Sequence, residues 1–352
     1  MNKNKLLTLG IETSCDETSC AVLEGRDKVR SNIVSSSLPR HQPFGGVVPE
    51  IASRHCLEQI DLVFDQALKQ ASVKPQDLDL IAVTKGPGLI GSLLVGVSFA
   101  KSLSYRLGIP LVPVNHLDAH LEACFISNEG KFALSHPPKR PSKFIGLLVS
   151  GGHTSISLHR GRKINLLGET VDDAVGEAYD KVAKILGLGY PGGPIMDKLA
   201  KEGDPLAVRF TKPKQKNKFD FSFSGIKTAV LYHVRDSHLE KKNKKEIERF
   251  QRDVAASFQH SAISWLVEKT LEAAKHRKVK DIVVGGGVSA NSLLRQRLPE
   301  EGARMGLRVR FPHLSLTNDN GAMIARRGLE MFRKGAKLNL RLSGDANLRL
   351  RP

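Results

Sequence analysis

The chain has 352 residues, enough to bury a full core and to build two domains or two lobes of one enzyme. Its 54 Lys and Arg against 36 Asp and Glu leave a formal net charge of +18, which favours a polyanionic partner such as RNA, DNA or an acidic membrane face. The cysteines, Cys15, Cys20, Cys56 and Cys124, form no C-x-x-C pair; this argues against a cysteine zinc site and fits a reducing compartment.

The first residues lead straight into an apolar strand, with no signal core and no run long enough to span a bilayer. A cytoplasmic protein with no membrane partner is therefore expected. Residues 6–12 read as a strand, 13–18 as a turn and 19–24 as a second strand. Residues 45–54 lead into a helix running to about Gln70. A strand over 78–84 is followed by Gly86-x-Gly88-x-x-Gly91 and a helix through Leu107, then a strand over 111–114. Next come His116 and His120. Four residues apart on a helix, they share a face and are close enough to share one ion, though a half-buried helix with two unrelated histidines explains the spacing equally well. A metal site needs at least one further ligand.

Residues 127–143, rich in Pro and containing Asn128 and Gly130, read as a linker or surface insertion. The pattern then repeats: a strand over 144–150, a small-residue turn over 151–154 and a strand over 155–159. Two hairpins of one design point to an internal duplication that opens two similar lobes. Residues 170–186 form an amphipathic helix pattern, with Val171, Ala174, Val175, Ala178, Val182, Ile185 and Leu186 as the buried stripe. Asp173, Glu177, Asp180 and Lys184 share another face. Gly187 ends it, and a tight loop over 189–194 follows. Residues 220–227 turn into another helix, 247–275 form a long one, 282–284 a strand, and 285–291 a strand-to-helix turn. Residues 317–321 cap a helix ending near Phe332. The mixture of hairpins and strand–helix alternation predicts an α/β protein in two lobes.

Three small-residue turns follow strands, around Ser14, Gly151 and Gly286, and their backbone N–H groups suit phosphate oxygens. Together they describe a nucleotide cleft between two lobes. The glycines at 86, 88 and 91 imitate a dinucleotide fingerprint, but Pro87 interrupts it, and Asn115 and His116 stand where the acidic residue belongs. Gly285-x-Gly287-x-x-Ala290 matches loosely, with no suitable βαβ unit expected after it, and no Walker loop is present. Asp319 is the candidate third metal ligand, against the plain alternative that it caps a helix. Leu117 after His116 disfavours a zincin-type hydrolase. Basic runs at 212–218, 241–245 and 333–351 are poor in aromatic residues and read as phosphate-attracting charge with no base-stacking platform.

These motifs occur in the order found in a known family. Residues 9–18 (LGIETSCDET), 45–50 (GGVVPE) and 86–91 (GPGLIG) carry the N-terminal half. His116-x-x-x-His120, 148–153 (LVSGGH), 190–194 (YPGGP), 221–225 (FSFSG) and 320–325 (NGAMIA) carry the rest. Over nearly its whole length the chain resembles the bacterial and organellar tRNA N6-adenosine threonylcarbamoyltransferases, once labelled O-sialoglycoprotein endopeptidases. The resemblance implies a two-lobed actin-like fold of the acetate kinase/Hsp70/actin type with duplicated ribonuclease-H-like domains. Its lobes would be 1–126 with 316–352, and 144–315. It implies transfer of a threonylcarbamoyl group from threonylcarbamoyl-AMP to N6 of adenosine 37 in tRNAs reading codons that begin with A. It further implies one divalent ion, iron ahead of zinc, on His116, His120 and Asp319. The adenylate would rest on Leu148, Val149, Ser150, Gly151, Gly152, Asp180, Gly193, Asp197 and Asn291. Apart from the resemblance, a carboxylate could remove the amine proton, and Asp16 and Glu17 are the candidates for that general base. The implied protein partners are a smaller paralogous subunit and a P-loop ATPase. Asn115, where many members have a further histidine, and Thr317-Asn318, in place of a common Cys-Thr, depart from the family pattern.

Overall fold

The computed structural model describes residues 6–127, 139–161, 163–212, 215–336 and 340–350; most of the expected 127–143 insertion, the middle of the 212–218 run and parts of the basic tail lie outside them. The chain divides into two compact units, one of Met1–Arg140 with Pro312–Leu350 and the other of Pro141–Phe311.

In the first unit β1 (Leu7–Glu12), β2 (Glu17–Glu24), β3 (Lys28–Ser36), β4 (Leu80–Gly86) and β5 (Leu111–Asn115) form one sheet in the order β3-β2-β1-β4-β5. β1 runs antiparallel to β2 and parallel to β4, and β4 runs parallel to β5. Alternation along the strands sends Leu9, Ile11 and Val22 to one face, where they meet Ile60, Phe64 and Val97 of the helices Pro49–Ala71 and Ile90–Leu107. Leu23, Leu80 and Val112 face the other way and pack on Ala322, Met323 and Leu329 of the helix Gly321–Arg333. Buried on both faces, β1 needs the continuous apolar run that its sequence supplies.

The second unit repeats the plan. β6 (Lys143–Val149), β7 (Thr154–Arg160), β8 (Lys163–Glu169), β9 (Asp281–Gly285) and β10 (Arg308–Arg310) form a sheet in the order β10-β9-β6-β7-β8. Counted within its unit, each sheet runs third-second-first-fourth-fifth, and in each the first two strands form the antiparallel hairpin expected from the duplicated pattern. Ile145, Leu147 and Val149 pack against the helices Val175–Ile185 and Lys244–His276 in one large core.

Three expectations need correction. β3, β8 and β10 had no counterpart in the sequence reading; all three are sheet edges, rich in Lys, Arg, Ser and Asn, where only part of the strand is buried and the hydrophobic period fades. A βαβ unit does follow the turn at Gly286, because β10 lies parallel to β9 after the helix Ser292–Arg304. The expected helix over 170–186 begins only at Val175, and Val171 is 59% exposed. Residues 170–173 are tied elsewhere. Val171 N donates to Phe221 O, and Asp172 accepts from Ser222 Oγ, Phe223 N and Ser224 Oγ. Those bonds compete with the first helical turn and win. Among the described residues no helix is long and apolar enough to cross a membrane.

Candidate functional site

β5 delivers the two histidines at its C-terminal end. Asn115 closes the strand and caps the next helix, its Oδ1 accepting from Leu117 N at 2.9 Å and Asp118 N at 3.3 Å. The helix His116–Glu122 is buried throughout, and its spacing turns both imidazoles the same way. Their Nε2 atoms are 3.2 Å apart. Asp319 Oδ1 lies 3.1 Å from His120 Nε2 and 3.5 Å from His116 Nε2, so the three side chains converge. Asp319 does not cap the helix that follows. Asn320 does, accepting from Met323 N at 3.0 Å. Ligand atoms about 2.0–2.1 Å from a tetrahedral ion sit roughly 3.3 Å from one another, and the observed triangle has that size. The donor set fits a divalent transition-metal ion, with three protein groups leaving room for a further ligand.

Glu12, at the end of β1, was not singled out from sequence. It is fully buried, with Oε1 accepting from Ser14 N at 2.6 Å and Oε2 accepting from Thr84 Oγ1 and facing His116 Nδ1 at 3.1 Å. Ser14 Oγ also lies 3.1 Å from His116 Nδ1. The signal available was an acidic residue closing an otherwise apolar central strand, a position that buries charge only when it has partners. Burial alone would lower the His116 imidazole, but the Asp319 and Glu12 carboxylates outweigh it and push it up to about 9.

Asp16 and Glu17 lie in the same corner. The Asp16 carbonyl accepts from Ser37 N and Ser37 Oγ, which pins the turn between β1 and β2. Burial, then the Asp319 and Asp16 carboxylates, push the Glu17 carboxyl well above its usual range. The Cys15 thiol is raised by burial and by Asp16 and Asp319. Glu12, Asp16 and Asp319 all act on the Glu17 carboxyl, and Glu12 and Asp319 also face His116, a concentration of negative charge that a bound cation relieves.

In the second unit the adenylate candidates gather at the C-terminal ends of the parallel neighbours β6 and β9. Leu148 and Val149 are core residues of β6, and only their main chain is available to a ligand. Ser150 starts the turn, its Oγ accepting from His153 N at 3.1 Å; Gly151 and Gly152 are exposed, with open space where a Cβ would stand. Asp180 Oδ1 accepts from Gly192 N at 2.7 Å and so holds the start of the helix Gly192–Ala200, on which Gly193 faces open space. Asp197 Oδ1 accepts from Ser292 Oγ at 2.8 Å and from Asn291 Nδ2 at 3.1 Å, and Asn291 Nδ2 also donates to Gln259 Oε1 at 2.8 Å. Gln259 joins this network unforeseen from sequence.

The dinucleotide-like glycines have another use. A Cβ on Gly86 would meet Asp345 O at 1.9 Å and one on Gly88 would meet Ser14 O at 2.3 Å. The chain around residues 345–348 and the turn at Ser14 pack directly on this loop, with Asp345 N donating to Lys85 O and Leu89 N to Ser14 O. The glycines thus serve close backbone packing at Asp345 and Ser14.

Residues 28–326 match a family model described as TsaD, tRNA N6-adenosine threonylcarbamoyltransferase. A curated protein of that name from Thermosipho africanus (strain TCF52B) is 48% identical over 347 residues, 98% of this chain and all of the relative. Those of Dictyoglomus turgidum (strain DSM 6724 / Z-1310) and Clostridium perfringens (strain SM101 / Type A) are 48% and 46% identical, and each alignment covers at least 98% of both chains. Among solved structures, T. kodakarensis HypF aligns with a TM-score of 0.60 at 14% identity, over 95% of this chain and 48% of that one, so this chain spans about half its length. That likeness is one of fold, and with the repeated sheet order it bears out the actin-like class.

Proposed function

The chain belongs to the tRNA N6-adenosine threonylcarbamoyltransferase family and is an enzyme, a transferase, and on that premise we propose that it uses threonylcarbamoyl-AMP to modify adenosine 37 of tRNAs reading codons that begin with A. The observation that carries this is the triangle of His116, His120 and Asp319 backed by Glu12, in a chain that matches the family from end to end.

In the proposed reaction the exocyclic N6 amine attacks the carbamoyl carbon. A C–N bond forms, the C–O bond to the AMP phosphate breaks, AMP leaves with the electron pair, and the amine gives up a proton. Glu17 or Asp16 takes that proton. Asp180, Gly193, Asp197 and Asn291 hold the AMP part, and the open turn at Ser150–Gly152 offers backbone N–H groups to its phosphate. His116, His120 and Asp319 would hold an iron(II) ion, with zinc as the alternative, and the ion when bound supplies positive charge for an oxygen of the threonylcarbamoyl end. The donor arrives activated, so transfer itself needs no ATP hydrolysis. Its protein partners in this reading are a smaller paralogous subunit and a P-loop ATPase, with all of them in the cytoplasm. The net charge of +18 attracts the tRNA.

Purified protein mixed with threonylcarbamoyl-AMP and unmodified tRNA, followed by nucleoside mass spectrometry, tests the reading. Threonylcarbamoyladenosine at position 37 is expected. Its absence even with the partner proteins present defeats the proposal. His116→Ala and His120→Ala should lose both metal and transfer.

A further inference from the structure

The basic runs differ in a way that only the fold reveals. In the 212–218 run, Lys212 is paired with Glu268 and Lys218 with Glu272. Lys269 of the same surface donates to the Lys218 carbonyl. Two of the lysines of that run are thus neutralised locally. In the 241–245 run, Lys241, Lys242, Lys244 and Lys245 make no ion pair with any carboxylate among the described residues, and all but Lys242 are exposed. Most acids nearby are engaged otherwise: Glu246 accepts from Asn243 N in a capping box, Asp236 pairs with Arg235, Glu240 with His238, and Asp253 with Arg249, while Glu248, on the same helix, pairs with none of these lysines. Lys244 and Lys245 also occupy the first turn of the 33-residue helix Lys244–His276, where the positive end of the helix dipole makes a cation costly. An anion bound there offsets that cost.

The helix Ser224–Asp236 brings aromatic rings to these lysines. The His233 ring stacks on Phe250 with centroids 5.3 Å apart and planes 13° apart, and Lys242 Nζ lies 5.1 Å from the Phe250 ring centre. Tyr232 is 51% exposed, and the Arg235 guanidinium sits over its ring at 4.8 Å. The 241–245 run is poor in aromatic residues as a stretch of sequence, yet Lys242 lies over the Phe250 ring on which His233 stacks, and Tyr232 and Arg235 stand on the same helix as His233. Unpaired lysines for phosphates, with an exposed ring and a guanidinium plane for bases on the preceding helix, are the combination that RNA recognition uses. An anionic membrane or an acidic peptide would use the charge alone.

We propose that the surface formed by Tyr232, Arg235, Lys241, Lys242, Lys244 and Lys245 is a docking site for the tRNA substrate. This rests on the reading that the chain acts on tRNA. The test compares the full-length wild type with a K241A/K242A/K244A/K245A variant, a Y232A variant and a K212A/K216A/K218A control, using unmodified tRNA at several salt concentrations. The four-lysine variant should bind tRNA about tenfold or more weakly, with the slope of log affinity against log salt reduced by about 3. Its KM for tRNA should rise with kcat kept. Y232A should weaken binding about fivefold or more with the slope unchanged, and the control should stay within about twofold of wild type. If wild type binds tRNA and the four-lysine variant binds as well with the same slope, the surface is refuted and the tRNA reading stands. Loss of binding to phosphatidylserine vesicles with tRNA binding intact refutes it equally. If wild type binds no tRNA at any salt concentration, the tRNA reading itself fails and the surface with it.

Discussion

Glu12 Oε2 and His116 Nδ1 are 3.1 Å apart inside the first unit, and this contact decides which nitrogen of His116 is left for a ligand. A carboxylate can only accept, so Nδ1 carries the proton and Nε2 turns its lone pair toward His120 and Asp319. Glu12 is therefore a positioning residue for the metal corner, held in turn by Ser14 N and Thr84 Oγ1. Glu12→Gln keeps the size and one acceptor but removes the charge that makes His116 a good donor. Affinity for zinc or iron(II), measured by competition with a chelator, should fall about 10–100-fold. Wild-type affinity in this variant would show that the contact is only structural.

His116, under the Asp319 and Glu12 carboxylates, also sets a pH dependence. In metal-free protein the His116 imidazole is pushed up to about 9, above its value of about 6.5 in an unfolded chain. Its contribution to the stability of the metal-free fold is therefore complete below about pH 6.5 and is lost as pH rises through about 9. An ion must displace that proton. Metal affinity should accordingly climb about tenfold per pH unit from pH 6.5 to 8.5 and level off above about 9. Calorimetric titration in buffers of different ionisation enthalpy should find about one proton released per ion at pH 7.5. Binding with no proton release would mean that His116 is neutral before the ion arrives.

How much of this was legible in sequence follows from what each residue depends on. The hairpins, the long helices and the His116–His120 spacing are local patterns, and all appear where expected. The edge strands β3, β8 and β10 lack a hydrophobic period because one side of an edge has no neighbour to pack on. Glu12 and Gln259 escaped notice because their meaning lies in partners 104 and 32 residues away. Asp319 reads as an ordinary cap until Asn320 is seen doing the capping. The helix expected at 170 failed for a related reason: Asp172 bonds to residues 50–52 positions away, which no window of neighbours contains.

Asp281 ties β10 into its sheet. It is 6% exposed and accepts from Arg308 Nε at 3.0 Å and Arg308 Nη2 at 2.7 Å, with Arg310 on the same carboxylate. Burial works against ionisation, yet the bonds from Arg308 and Arg310 hold the carboxyl below its ordinary value. The stabilisation is thus present above an unfolded pKa of about 3.9 and is lost as pH falls through the lower folded value. Asp281→Asn should cost about 1–2 kcal/mol at pH 7. The difference from wild type should shrink below about pH 4. Urea unfolding at pH 7 and at pH 3.5 measures both, and a pH-independent difference would mean that the charge is immaterial.

Gly10 and Gly321 set how closely the helix that follows Asp319 can lie on β1. A Cβ on Gly10 would stand 2.0 Å from Gly321 O and 2.5 Å from Ala325 N, and both are backbone atoms that cannot swing aside. The helix Gly321–Arg333 must move for any larger residue at 10, and Asp319, two residues before it, moves too. Gly10→Ala should destabilise the protein by about 2–3 kcal/mol. It should also weaken metal binding, because β1 carries Glu12 while Asp319 directly precedes the shifted helix, and the triangle with His116 and His120 opens. Gly225→Ala is the control: a Cβ there meets no atom within 4 Å, and the substitution should be neutral or stabilise by about 0.5 kcal/mol. Thermal unfolding with and without zinc separates the two effects. A Gly10→Ala protein that loses stability but gains as much from zinc as wild type does would show that Asp319 is held in place by something other than this contact.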